Sequence, residues 1–177
     1  MRPARQGAFD GLCGVYAIMN ALDLVGLNGP KGALHRNLFY QLTKGLGPAA
    51  LLRGMKSGLT AGDLRRAARP AFNWLALEHG VQLKLIQPFS SAEFFDVSDF
   101  LGAVLVKTHD LEAAAIIHVR THGVAHWTVV QSVGAKGIVL RDSWRHPALI
   151  APERFALNDG PRLIRTAETL LLTRLAT

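Results

Sequence analysis

The chain has 177 residues, 49% of them apolar, with 20 Lys and Arg against 13 Asp and Glu for a formal charge of +7: enough for one domain spanning residues 1–177 with its own core, too little for two. The densest basic patch, Arg65, Arg66 and Arg69, lacks the interleaved aromatics of a nucleic-acid face, so no nucleic-acid partner is expected. A single cysteine excludes an internal disulfide and a thiolate-cluster zinc site.

The first residues, Met1 to Phe9, carry two arginines and no following apolar run, which predicts neither a signal peptide nor a membrane anchor and makes the cytoplasm the expected compartment. From Gly11 to Leu24, the residues Leu12, Val15, Tyr16, Met19 and Leu22 keep the spacing of a helix with one buried face. Leu34, Leu38, Phe39 and Leu42 predict a second helix ending at Gly45, followed by a glycine-rich connection to Thr60. Thr60 with Asp63 marks the start of a third, running to Gly80 and kinked or divided at Pro70.

Val81, Leu83 and Leu85 alternate as in a short strand, and Val97 to Val106 predicts a short helix or a helix leading into a strand. Beyond these, Ala115–Val119, His126–Val133, Gly137–Arg141 and Thr169–Leu175 predict an antiparallel sheet. Helices first and strands afterwards imply an α+β fold, an N-terminal helical lobe packed on a C-terminal sheet.

The only thiol, Cys13, falls in the first turn of the first predicted helix, where the partial positive charge and free N–H groups stabilise a thiolate. Asp10 is placed to cap that helix through the N–H of Leu12 or Cys13. Its charge opposes the thiolate unless an imidazolium stands beside the sulfur. His126 opens an apolar strand, and Asp142 follows sixteen residues later, after a glycine turn and a return strand. A hairpin of that length sets the two side by side, so that Asp142 accepts from one ring nitrogen and leaves the other for the thiol. Trp144 is placed to shield that bond from water, and Gln6 to join the backbone N–H of Cys13 in an oxyanion hole. His118, His122 and His126 recur every four residues, a metal face on a helix, but the stretch has the pattern of strand, turn, strand and no metal is expected.

The order Gln6-Gly7, Cys13-Gly14, His126 and Asp142-Ser143-Trp144 resembles the papain-like cysteine peptidases, with Asp in place of Asn before Ser-Trp. The Asp, the short length and the Cys-Gly helix start are closest in style to the compact C39-type leader peptidases. The matching patches cover about a fifth of the chain; Gln6 stands one residue farther from Cys13 than is usual, and the family's nearby second cysteine is missing. The resemblance implies a thiol protease acting on a peptide or protein substrate, with Cys13, His126 and Asp142 as triad and no cofactor. The same triad serves transglutaminases, glutamine deamidases and acyltransferases, and the same fold can serve as a non-catalytic binding module. The cleft walls are expected from Gly45–Leu59 and Pro88–Asp99; no membrane partner is expected, and no feature specifies an oligomeric state.

Overall fold

In a computed structural model the described residues are 11–27, 32–121, 124–134, 137–143, 149–150 and 152–175. They form α1 (Cys13–Leu24), α2 (Ala33–Ser57), α3 (Ala61–His79), β1 (Leu83–Ile86), α4 (Val97–Asp110), β2 (Ala113–Thr121), β3 (Val124–Gly134), β4 (Gly137–Arg141), β5 (Leu149–Ile150), a 3-10 turn (Pro152–Arg154), β6 (Ala156–Leu157) and β7 (Arg162–Arg174). The fold is α+β. The strands make one sheet in the order β1-β7-β2-β3-β4-β5, antiparallel throughout except that β6 runs parallel to β7.

The sheet is buried on both faces, which explains the nearly continuous apolar run of β2. Ala114 and Ile116 join Trp127, Val129, Leu170 and Leu172 against α1, α2 and α3. Ala115, Ile117 and Val119 face the other way, onto Phe100, Leu101 and Val104 of α4. The fourth helix thus covers the face that the N-terminal helices leave open. Its buried residues Val97, Phe100, Leu101 and Val104 form one stripe, and Asp96 caps its start by accepting from the Asp99 N–H at 2.8 Å.

Three expectations need correction. The connection expected between Gly45 and Thr60 is helical as far as Ser57: α2 breaks only at Gly47, whose φ of 73° is outside the helical range, and resumes at once. Pro48 then occupies the first helical position, where its missing N–H costs nothing, and Ala49, Ala50, Leu51 and Leu52 carry the helix onward. The glycines masked a helix built from strong helix formers.

Pro70 does not divide α3, which runs unbroken from Ala61 to His79. A proline inside a helix costs about 3 kcal/mol, but here both ends are fixed. Thr60 and Asp63 form a reciprocal capping box, Gly80 closes the C-terminus in the left-handed conformation, and Ala67, Ala68, Ala71, Phe72 and Leu75 are buried. Third, the last strand begins at Arg162 rather than Thr169. Val97–Val106 lies wholly in a helix, the first of the two readings its pattern allowed, and the short β5 and β6 carry too few residues to show a period. No helix among the described residues is long and apolar enough to cross a membrane.

Candidate active site

Cys13 opens α1, with Leu12 in the N-cap position and no side-chain cap on it. Asp10, expected there, lies outside the described residues, as do Gln6 and Trp144. Cys13 is 5% exposed, and its sulfur accepts a hydrogen bond from the backbone N–H of Trp127 at 3.4 Å. Strand pairing explains why that N–H is available. β4 ends at Arg141, opposite Val129, so the edge of β3 beyond that point has no strand beside it among the described residues, and the thiol of α1 takes the acceptor's place.

Gly14 makes the approach possible. A Cβ at this position would lie 2.5 Å from a methyl of Leu64 and 3.2 Å from the Trp127 indole, and Leu64 and Trp127 are both buried with little room to yield. The indole N–H donates to the carbonyl of Leu59 at 2.7 Å, fastening β3 to the loop that leads into α3.

The residue preceding Trp127 brings the imidazole. His126 Nε2 lies 2.9 Å from Asp142 Oδ2, with side chains 12% and 16% exposed. The ring also bonds the Cys13 side chain. Burial, the largest influence on this imidazole, lowers its pKa; the hydrogen bonds with Asp142 and Cys13 and the negative charge of both outweigh it and raise the value to about 9. At neutral pH the ring is an imidazolium pressed between a carboxylate and a sulfur. The structure therefore brings Cys13, His126 and Asp142 into one chain of contacts drawn from α1, β3 and the end of β4.

Two supporting groups lie outside the sequence reading. His118 stacks on the Trp127 ring, with centroids 4.6 Å apart and planes 12° from parallel, and its Nδ1 lies 2.5 Å from Glu168 Oε2. Arg165 donates to the other Glu168 oxygen at 3.0 Å. The His118 bond, opposed by burial and reinforced by Arg165, holds the Glu168 carboxyl below its ordinary range. An irregularity of pairing puts Glu168 there: three residues of β2, Ile116 to His118, span six of β7, Leu170 to Arg165. The second group joins α1 to β4. Arg141 Nη2 donates to Asp23 Oδ2 at 2.8 Å, with side chains 7% and 3% exposed, while His35 Nε2 of α2 lies 3.4 Å from Asp23 Oδ1. His35, unassigned by its sequence context, is thus part of a buried network. Buried Asp and Arg in otherwise polar-free stretches were the available signal. No cluster of three or more metal-binding side chains occurs among the described residues.

No protein-family model matches the sequence, and no curated protein does. Among solved structures, the chain is similar to a double glycine motif protease from an AMS/PCAT transporter, crystallised in complex with the leader peptide. The two share 15% identity with a TM-score of 0.47, over 98% of this chain and 89% of that one.

Proposed function

We propose that the chain is a papain-like cysteine hydrolase that cleaves peptide or protein amide bonds. The observation that carries this reading is the continuous contact from sulfur to imidazole to carboxylate. In the proposed reaction the Cys13 thiolate attacks the amide carbonyl, and the negative charge moves to the carbonyl oxygen. The backbone N–H of Cys13, together with Gln6, stabilises that oxyanion. His126 gives its proton to the departing amine as the C–N bond breaks, leaving a thioester on Cys13. The now neutral ring then takes a proton from water, which adds to the thioester and releases the acid with the thiolate. Asp142 keeps the ring turned toward the sulfur through both halves.

The test is alkylation of the full chain by iodoacetamide at neutral pH, followed by product analysis on a peptide library. The expected result is labelling of Cys13 much faster than of a free model thiol, and hydrolysed peptides that disappear with Cys13→Ala. Labelling no faster than the model thiol, with no peptide turned over, would identify a binding module instead. Release of ammonia without chain cleavage would identify a deamidase.

A further inference from the structure

The arginines Arg65, Arg66 and Arg69 all lie on the exposed face of α3, turned away from Leu64, which packs toward Gly14 on the buried side. They line a cleft of about 530 Å³ between α3 and β1, floored by the buried Phe72. No carboxylate lines it. Arg66 lies 3.5 Å from Asp63, an acid already held at 2.7 Å by Arg53. Arg65, Arg69 and Lys84 have no ion-pair partner among the described residues. The cleft is a concentration of positive charge that the lining residues themselves do not neutralise.

Its other wall is a sheet edge. Among the described residues β1 pairs with β7 alone and ends the strand order. Backbone groups of an antiparallel strand point alternately to its two sides. The Gln82 carbonyl accepts from Leu175 N–H on the β7 side, so Lys84 and Ile86 share that direction, and the N–H and C=O groups of Leu83 and Leu85 point outward. Leu83 and Leu85 both line the cleft. A row of free donors and acceptors thus faces a row of arginines.

The two walls have matching periods. Arg65 and Arg69 stand one turn apart, a rise of about 6 Å. Alternate side chains of an extended strand are about 6.6 Å apart. A strand added to the β1 edge can place carboxylates on every second residue opposite successive arginines.

We propose that this cleft docks an extended acidic peptide segment of a partner protein, which pairs with Leu83 and Leu85 as an added strand and offers alternate carboxylates to Arg65 and Arg69. Phosphodiester strands share the charge but not the backbone donors and acceptors that the edge requires, and Phe72 is buried where base stacking would need an open ring. Cys13, His126 and Asp142 are not among the residues that line it.

The test is fluorescence anisotropy of the full chain with a labelled peptide of alternating Glu and Val. The expected result is saturable binding, on the order of 100 μM or tighter, that weakens as salt is raised. The same peptide with Lys for Glu should not bind. N-methylation of every second peptide bond, on the edge facing β1, should weaken binding at least tenfold, as should Arg65→Gln/Arg69→Gln, two exposed changes whose folding is checked by circular dichroism. Amide exchange at Leu83 and Leu85 should slow in the complex. The proposal is overturned by absence of saturable binding, by undiminished binding of the N-methylated peptide or of the double variant, by unchanged exchange at both amides, or by a single-stranded oligonucleotide displacing the peptide at lower concentration than the unlabelled peptide does.

Discussion

At neutral pH the His126 ring, with its pKa raised to about 9, is protonated, held by the Asp142 carboxylate at Nε2 and hydrogen-bonded with the Cys13 side chain. The unfolded chain releases that proton near the ordinary 6.5. The contribution to stability is therefore complete below 6.5, declines above it, and is lost as pH rises through about 9. Thermal unfolding measured from pH 6 to 10 should show this decline, and His126→Gln should flatten it. Chemistry follows the same group: amide hydrolysis, which needs the ring as a proton donor, should fall as pH passes about 9, while alkylation of Cys13 should not. Asp142→Ala removes the hydrogen bond that most raises the ring's pKa, so it should move the hydrolytic decline to lower pH and reduce turnover by roughly 100-fold or more. These three residues were legible because each had a local marker: the single thiol at a helix start, the histidine opening a strand, the aspartate across a hairpin. Trp127 N–H, His118 and Glu168 were not, since their meeting depends on an irregular pairing between strands fifty residues apart.

The start of α3 is a case where four residues of sequence decide an element. Thr60 Oγ1 accepts from the Asp63 N–H at 3.2 Å, and Asp63 returns the bond to the Thr60 N–H at 3.0 Å. Burial, the largest influence on Asp63, raises its pKa, but the Arg53 bond and the two Thr60 bonds outweigh it and leave the carboxyl below 3.8. Its contribution is thus present above the ordinary carboxylate range and lost as pH falls through the lowered value. Thr60→Ala should cost about 1 kcal/mol in denaturant unfolding at neutral pH. The cap was visible in the sequence, as were the period of α1 and the glycine turn between β3 and β4. The second half of α2 was not, because a lone left-handed glycine inside a helix and a glycine-rich loop have the same composition, and only the packing around Leu46 and Ala50 separates them.

Across the molecule, α1 is fastened to the sheet at both ends: Cys13 to Trp127 on β3, and Asp23 to Arg141 on β4, roughly 15 Å further along the helix axis. Arg141 immediately precedes Asp142, so the same ion pair anchors the strand that delivers the carboxylate. Asp23→Ala breaks this buried ion pair by removing one partner and should cost about 3–5 kcal/mol. Asp23→Leu/Arg141→Met, read by the same denaturant titration, should recover most of that loss. The sequence signalled each partner by a charge beside an apolar run, but not the pairing, because the two are far apart in the chain. One contact at the other end of α1 has a practical corollary. The thiol stands where a neighbouring strand's carbonyl would ordinarily be, so any chemistry at the sulfur, whether an acyl adduct, an oxidation or an alkyl cap, changes the acceptor seen by one main-chain proton. The nitrogen-15 resonance of Trp127 is therefore a built-in gauge, legible by NMR, of what the sulfur is carrying at each stage of turnover.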